Sequence, residues 1–430
     1  MSPSPCPDLL DAQARLASHG WIAPKAENFR HLPPPPASAW LAPPATPTTT
    51  PTTEPSDPTE SWHVRALDAA QADQFIAQYL NPAIPAQRAM LFRGLPWPDE
   101  SDAAHFGWMH RATCQRGLRV HIAGDPARHA ATPLRLVLHI APTAPFDAPL
   151  VVIDVAAGAH CVLLEQHAFD PSANAGVQNL DLHIRLGHGA RLQHLRTVAP
   201  APHDRLAHQL HVTLAEGAHY DQALLASGSA YHLQRTQIDL HQPGSAARMG
   251  AALLAADATL DQQIALSHTA ADTYSAVESL LLASGKAHAV LNAHTLIAPG
   301  ADNANVRQRL CAIPTSGQPR VVLRPHMEIH HDQVQAAHGA TYGALPDEAL
   351  FYARQRGLDE ASALALILQG LQRAVLERAL DDPELLTGMS AAPSRLKQAR
   401  TAARQGEGTP LNLDAALARM TQQHLARSTA

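Results

Sequence analysis

Aromatic residues make up only 4% of the 430-residue chain, and there are only four cysteines. Few rings argue against a polysaccharide-active enzyme, which needs paired carboxylates in a groove and usually aromatic platforms for sugars. Cys6, Cys114, Cys161 and Cys311 stand far apart with no CxxC or Cys/His finger spacing, which excludes a disulfide framework and a closed zinc site. Free thiols are expected. Charged residues are also sparse, at 16%, with 32 basic against 38 acidic side chains and a net charge of −6. Without long charge blocks there is no footprint for a nucleic-acid backbone or an anionic membrane, so neither is expected as a partner. No run of about 18 apolar residues exists to cross a membrane. The opening MSPSPCPDLLDAQARL lacks a basic stretch followed by an apolar core, so a cytoplasmic protein is expected. A nucleophile elbow, a phosphate-cradling glycine loop and an HExxH pair are all missing, and the chain does not read as a self-sufficient enzyme.

What is present is ample apolar content, 46%, in a length that suits two or three units. Residues 1–30 read as a short N-terminal helical segment. Residues 31–60 hold ten of the 35 prolines and seven threonines. Such a segment is expected to be an extended, solvated linker. From 61 to 115 helical patterns such as AAQADQFIAQYL mix with a short apolar run, RAMLFRGL.

Between 116 and 343 the character changes. Short runs rich in Val, Leu and His alternate with Gly-Ala or Pro-Gly punctuation, which favours strands. Small-residue turns at Gly158, Gly189, Gly217 and Gly244 recur at steps of 31, 28 and 27 residues, and Gly285 reads as a further turn of the kind. Strands repeating at this period with no helical pattern between them point to stacked coils, a parallel β-helix. A β-sandwich and a propeller are the alternatives.

Past residue 344 the period becomes helical. Pro346, Asp347 and Glu348 suit a first turn and Gly357 a left-handed stop. Asp359 is placed to cap a second helix with an apolar stripe of Leu364, Ile367, Leu368, Leu371 and Val375. The C-terminal helical domain is drawn at 344–382. Residues 383–430 form a weakly specified tail with a helix expected around 412–425.

One stretch carries a recognisable pattern. It combines Pro325, Glu328 and Ile329, Asp332 and Val334, His338 to Thr341, Gly343, and Phe351, Tyr352, Arg356 and Gly357. It resembles the C-terminal signature of the SufB/SufD family, scaffold subunits of the Suf iron–sulfur cluster assembly machinery. Pro24, Lys25, Glu27, Phe29 and Arg30 are loosely similar to a SufD-type N-terminal segment, with Phe29 in place of Trp, and His268 falls on a family histidine position. The absence of a SufB-like cysteine cluster and the shorter length favour the SufD side.

The resemblance implies a right-handed parallel β-helix flanked by helical segments. It implies a non-catalytic scaffold that pairs with a SufB-type subunit through the end of the β-helix, or with itself when alone. A SufC-type ATPase docks on its C-terminal helices. The implied docking residues are Leu350, Phe351, Tyr352, Arg356 and Gly357; filling the core beneath the second helix is the alternative for the first three. His338 is the implied ligand for iron or a transient iron–sulfur cluster at the interface, and no tightly bound cofactor is expected. His330 and His331 lie off the motif and read as surface residues. Many SufD subunits carry a cysteine two positions before this histidine. Here that position is Ala336, so the partner must supply the thiolate, unless Cys311 on a neighbouring strand substitutes. The competing readings are a β-helix enzyme acting on polysaccharide and a His-rich metal-binding protein.

Overall fold

A computed structural model of the chain describes residues 7–23, 25–41, 62–98, 104–124, 132–142, 145–169, 175–345, 347–380 and 413–428. Two sheets face each other along the stack. In spatial order the first holds β1 (Trp62–Ala66), β4 (Leu134–Ile140), β7 (His160–His167), β9 (Arg191–Val198), β11 (His219–Ser227), β13 (Ala246–Ala256), β15 (Tyr274–Ser284), β17 (Asn305–Pro314) and β19 (Gln335–Tyr342). The second holds β2 (Phe75–Leu80), β3 (Arg116–Ile122), β6 (Pro149–Val155), β8 (Val177–Leu186), β10 (Arg205–Leu214), β12 (Tyr231–Leu240), β14 (Thr259–His268), β16 (His288–Ile297) and β18 (Arg320–Ile329), with β5 (Phe146–Asp147) beside β8. From β6 onward the chain alternates between sheets, and each strand pairs in parallel with its equivalent one coil away. This is the parallel β-solenoid that the glycine period predicts.

The period exists because one corner of every coil demands left-handed backbone. Gly158, Gly189, Gly217 and Gly244 all have φ between 62° and 68°. The same corner continues at Asp272 and Asn303, with φ of 57° and 60°, residue types that tolerate this region. Each corner donates its N–H to the carbonyl of the next: Gly158 to His188, Gly189 to Glu216, Gly217 to Pro243, Gly244 to Ala271, Asp272 to Asp302. Gly285 corrects the expected series. It connects β15 to β16 at the opposite corner, where Asp257 is its counterpart.

In-register stacking turns a strand's inward positions into apolar ladders, as in Ile153, Ile184, Val212, Ile238 and Leu266. All five are at most 3% exposed. At the N-terminal end the first strands run against the grain: β1 pairs antiparallel with β4, and β2 antiparallel with β3. This overturns the helical reading of AAQADQFIAQYL. Ala69–Gln74 is a 3₁₀ turn and the next six residues are strand, because sheet pairing with β3 outweighs weak local helix preference. RAMLFRGL, read as an apolar run, lies largely in helix α2 (Pro85–Phe92), opened by a proline at its first turn.

Helices cover the two outer faces. α1 (Pro7–His19) packs on α3 (Ala104–Thr113), which lies over the second sheet. The solvated linker expected from residue 31 does not hold for 31–41. Trp40 is fully buried and stacks edge-on against Phe106 and Tyr231. Both Trp21 and Trp40 donate their indole N–H to Pro35 O. Pro-rich chain is already extended, so docking it by a ring costs little conformational entropy. The rest of that segment, 42–60, lies outside the described residues.

Over the first sheet lie α4 (Asp347–Gln355), α5 (Glu360–Ala379) and α6 (Leu413–Ser428). Gly357 takes φ of 91° after α4, and the Asp359 carboxylate accepts from Ser362 N at the start of α5, as the sequence predicts. The apolar stripe of α5 is partly corrected. Leu368 and Val375 are buried with Gln372, Leu376 and Ala379, whereas Leu371 is 39% exposed. The helix axis sits so that α6 covers Gln372, whose amide donates to Thr421 Oγ1. Pro346 and residues 381–412 lie outside the described residues. No described helix is long and apolar enough to cross a membrane.

Candidate functional site

Both sheets stop at the same coil. β18 pairs only with β16 and β19 only with β17, so among the described residues each presents an unpaired backbone edge. Every residue of β19 is exposed and none of β18 is fully buried. Unsatisfied ladder donors and acceptors make such an edge a template for another strand. The N-terminal segment reaches the outer face here: Glu27 pairs with Arg324, which also donates to Glu27 O, and Phe29 is buried. Pro24 lies outside the described residues.

The sequence-predicted residues fall on this end. His338 pairs in register with Gln308. Gln308 is 3% exposed and reaches across the interior to Thr295 Oγ1. His338 therefore occupies an interior-facing position of the last rung, and it is exposed because no further rung covers it. Ala336 faces the same way, opposite Val306. Cys311 does not join them. Three positions from Gln308, it lies on the other face of β17, packed on the apolar cluster beneath α5, and burial pushes its thiol pKa up. His331 hydrogen-bonds Asp302. Fully buried His268 bonds both Thr273 Oγ1 and Ser275 Oγ.

The helical hairpin that follows is built to present apolar surface. No residue of α4 is buried; Phe351 is 64% and Tyr352 59% exposed, so these two do not fill a core. Leu350 is half-buried. Arg356 lies over the Tyr352 ring at 4.8 Å and donates to its hydroxyl. Leu358, Leu366 and Leu371 of the hairpin are exposed as well. α5 itself is fixed to the sheet by a two-pronged Arg378–Glu278 pair. Gly250 allows its close approach, since a Cβ there would lie 2.5 Å from Val375 O.

Two features escape a sequence reading. On the outer face of the last two rungs His294 and His326 pair in register, with stacked rings 4.8 Å apart. Glu328 Oε1 lies 3.1 Å from His294 Nε2. These three donors are close enough to share a metal ion. The second feature is a polar network sealed between the sheets. Glu165 accepts from Arg196, His167 and His194, while His194 also bonds Tyr220 and His208 bonds Gln178. Burial alone raises the Glu165 pKa, but Arg196 and the two histidine hydrogen bonds outweigh it and hold the carboxyl well below its ordinary range. Burial keeps His167, His194 and His208 neutral. Inward polar residues in strands look like a solvated face until the coil period is known.

Comparison with known proteins agrees with this architecture. The SufBD core domain of the SUF system for FeS cluster assembly matches residues 140–371. The iron-sulfur cluster assembly protein SufD of Escherichia coli (strain K12) is 24% identical over 231 residues, 54% of this chain and 54% of that protein. An iron-sulfur cluster assembly SufBD family protein of Synechocystis sp. is 24% identical over 213 residues, 48% of this chain and 46% of that protein. The chain spans about half the length of these curated relatives.

Proposed function

The chain belongs to the SufBD family of iron–sulfur cluster assembly proteins, and we propose that it works as a SufD-type scaffold subunit whose open coil end is the pairing face for a SufB-type chain. The observation that carries this reading is the coincidence of two unpaired strand edges at one end of the stack. A partner ending in the same way continues both sheets, so main-chain hydrogen bonds supply affinity and the exposed side chains of β19 supply selectivity. Without such a partner a second copy of the chain takes its place.

In this reading His338 is the side chain contributed to iron or a nascent cluster. A neutral imidazole binds iron well, and it stands on the pairing face itself. With Ala336 beside it, the sulfur ligands come from the partner. The exposed rings of α4 are the docking surface for a SufC-type ATPase: Phe351 and Tyr352 are rigid, exposed rings of the kind that dominate interface energetics. ATP hydrolysis then belongs to that partner, and this chain acts by holding the assembly together.

Co-expression with SufB-type and SufC-type chains tests the proposal. A three-component complex surviving gel filtration is the expected result. Phe351→Ala with Tyr352→Ala should release the ATPase while leaving the SufB-type chain bound. Elution of this chain alone in the presence of both partners overturns the reading.

A further inference from the structure

A second cluster of metal-binding side chains lies far along the chain from the terminal coil, beneath the N-terminal helices. Asp181 and His183 stand two apart on β8, so both project from the outer face of the second sheet. His211 of β10 is the register partner of His183, and the two rings stack 4.6 Å apart at 11°. His183 Nε2 is 3.2 Å from one Asp181 oxygen, and His211 Nε2 is 3.5 Å from the other. Atoms sharing one ion at about 2.0–2.2 Å stand roughly 3.0–3.5 Å from each other. The carboxylate and both imidazoles lie within 4.8 Å of one another, close enough to share an ion. They line a cleft of about 330 Å³ roofed by Pro96, Trp97 and Pro98.

An independent feature points at the same spot. His110 of α3 is fully buried, and its Nε2 lies 3.0 Å from Pro149 O. A carbonyl only accepts, so that nitrogen carries the proton and Nδ1 is a bare lone pair. Nδ1 has no hydrogen-bond partner and lies 3.8 Å from Asp181 Oδ2. The nearest group to Asp181 Oδ1 is His211, at 3.5 Å. A buried lone pair facing a carboxylate is unfavourable unless a cation or a donor joins them. Arg111, one residue on, turns its guanidinium to Pro96 O and stacks on Phe92 and Trp97.

We propose that Asp181, His183 and His211 bind a divalent first-row transition-metal ion, with His110 facing it from the helix above and the cleft leaving positions open to water or a small ligand. Two neutral imidazoles and one carboxylate form a ligand set suited to iron, cobalt, nickel or zinc, and the absence of a thiolate disfavours softer ions. The site is distinct from the pairing face, and its occupancy does not depend on any partner.

The test uses Co²⁺ as a probe on the full chain, read by equilibrium dialysis and by the visible absorption of bound cobalt. Exposed histidines elsewhere bind weakly, so the wild type should show one tight equivalent above a weak background. His183→Gln and His211→Gln should each weaken that equivalent at least tenfold and remove its absorption band, whereas His294→Gln with His326→Gln should leave it in place. His211 is partly exposed, so its variant keeps the test open if His183→Gln fails to fold. Wild-type cobalt binding in a folded His211→Gln chain, or no tight equivalent in the wild type, overturns the proposal and leaves a hydrogen-bonded ion pair only.

Discussion

Glu165 and Arg196, on neighbouring strands of the first sheet, form an ion pair at 2.8 Å with neither side chain more than 2% exposed. Removing one partner leaves the other charge buried and uncompensated. Glu165→Gln should therefore cost about 3–5 kcal/mol in urea unfolding. Glu165→Leu combined with Arg196→Met should recover most of that loss. Equal losses in the single and double variants would mean that the network, and not the pair, sets the cost.

Asp261 gives a pH dependence of one sign. Burial pushes its carboxyl up to about 8, against the pull of Gln263 and Arg235. A folded pKa above the unfolded value means that its contribution is fully present below about pH 4 and is lost as pH rises through 8. Asp261→Asn removes that titration. Its melting temperature should pull progressively ahead of the wild type between pH 5 and 8, and a constant offset across that window would contradict the assignment.

His268 gives the opposite sign. Burial lowers its pKa to about 4, so its contribution is fully present above the ordinary histidine value near 6.5 and is lost as pH falls toward 4. The slope is about 1.4 kcal/mol per pH unit at most for one group. His268→Gln should flatten the decline of the urea midpoint between pH 6.5 and 4.5; a slope identical to the wild type argues against a buried neutral imidazole.

Gly250 is a packing prediction. An added Cβ meets Val375 O at 2.5 Å and Ala379 Cβ at 2.8 Å. α5 must lift from the sheet, a strain of about 1–3 kcal/mol. Thermal unfolding of Gly250→Ala checks this, with Gly189→Ala, where only the left-handed backbone objects, as the comparison.

His338 separates function from fold. It is exposed on the last strand, so His338→Ala should change stability by no more than about 0.5 kcal/mol. Reconstitution with SufB-type and SufC-type partners should nevertheless yield less cluster absorbance. Wild-type absorbance from the variant complex would make His338 a bystander.

The solenoid was legible in the sequence because its corners need φ above zero, and Gly158, Gly189, Gly217 and Gly244 announce that need at steps of 27 to 31 residues. Asp272 and Asn303 fill the same role but carry side chains, which hid the last two corners and let Gly285 pass for one. The helical hairpin was legible from Asp359 and Gly357, whose capping chemistry is local. What failed was what tertiary contact decides. Phe75–Leu80 is a strand because β3 lies beside it, and Trp40 is buried because Phe106 and Tyr231 surround it. The Asp181 cluster left a trace that only the period reveals: His211 follows His183 by 28 residues, one coil, as His326 follows His294 by 32.

The reversal of strand direction at β1 and β2 bears on how far assembly runs. A stack of coils with two receptive termini adds copies head to tail without limit and grows into a fibre. Here the far end carries strands antiparallel to their neighbours, so its outermost edges run opposite to the coil direction. The stack is therefore polar along its axis: a strand added in parallel follows the coil direction at one end and opposes it at the other.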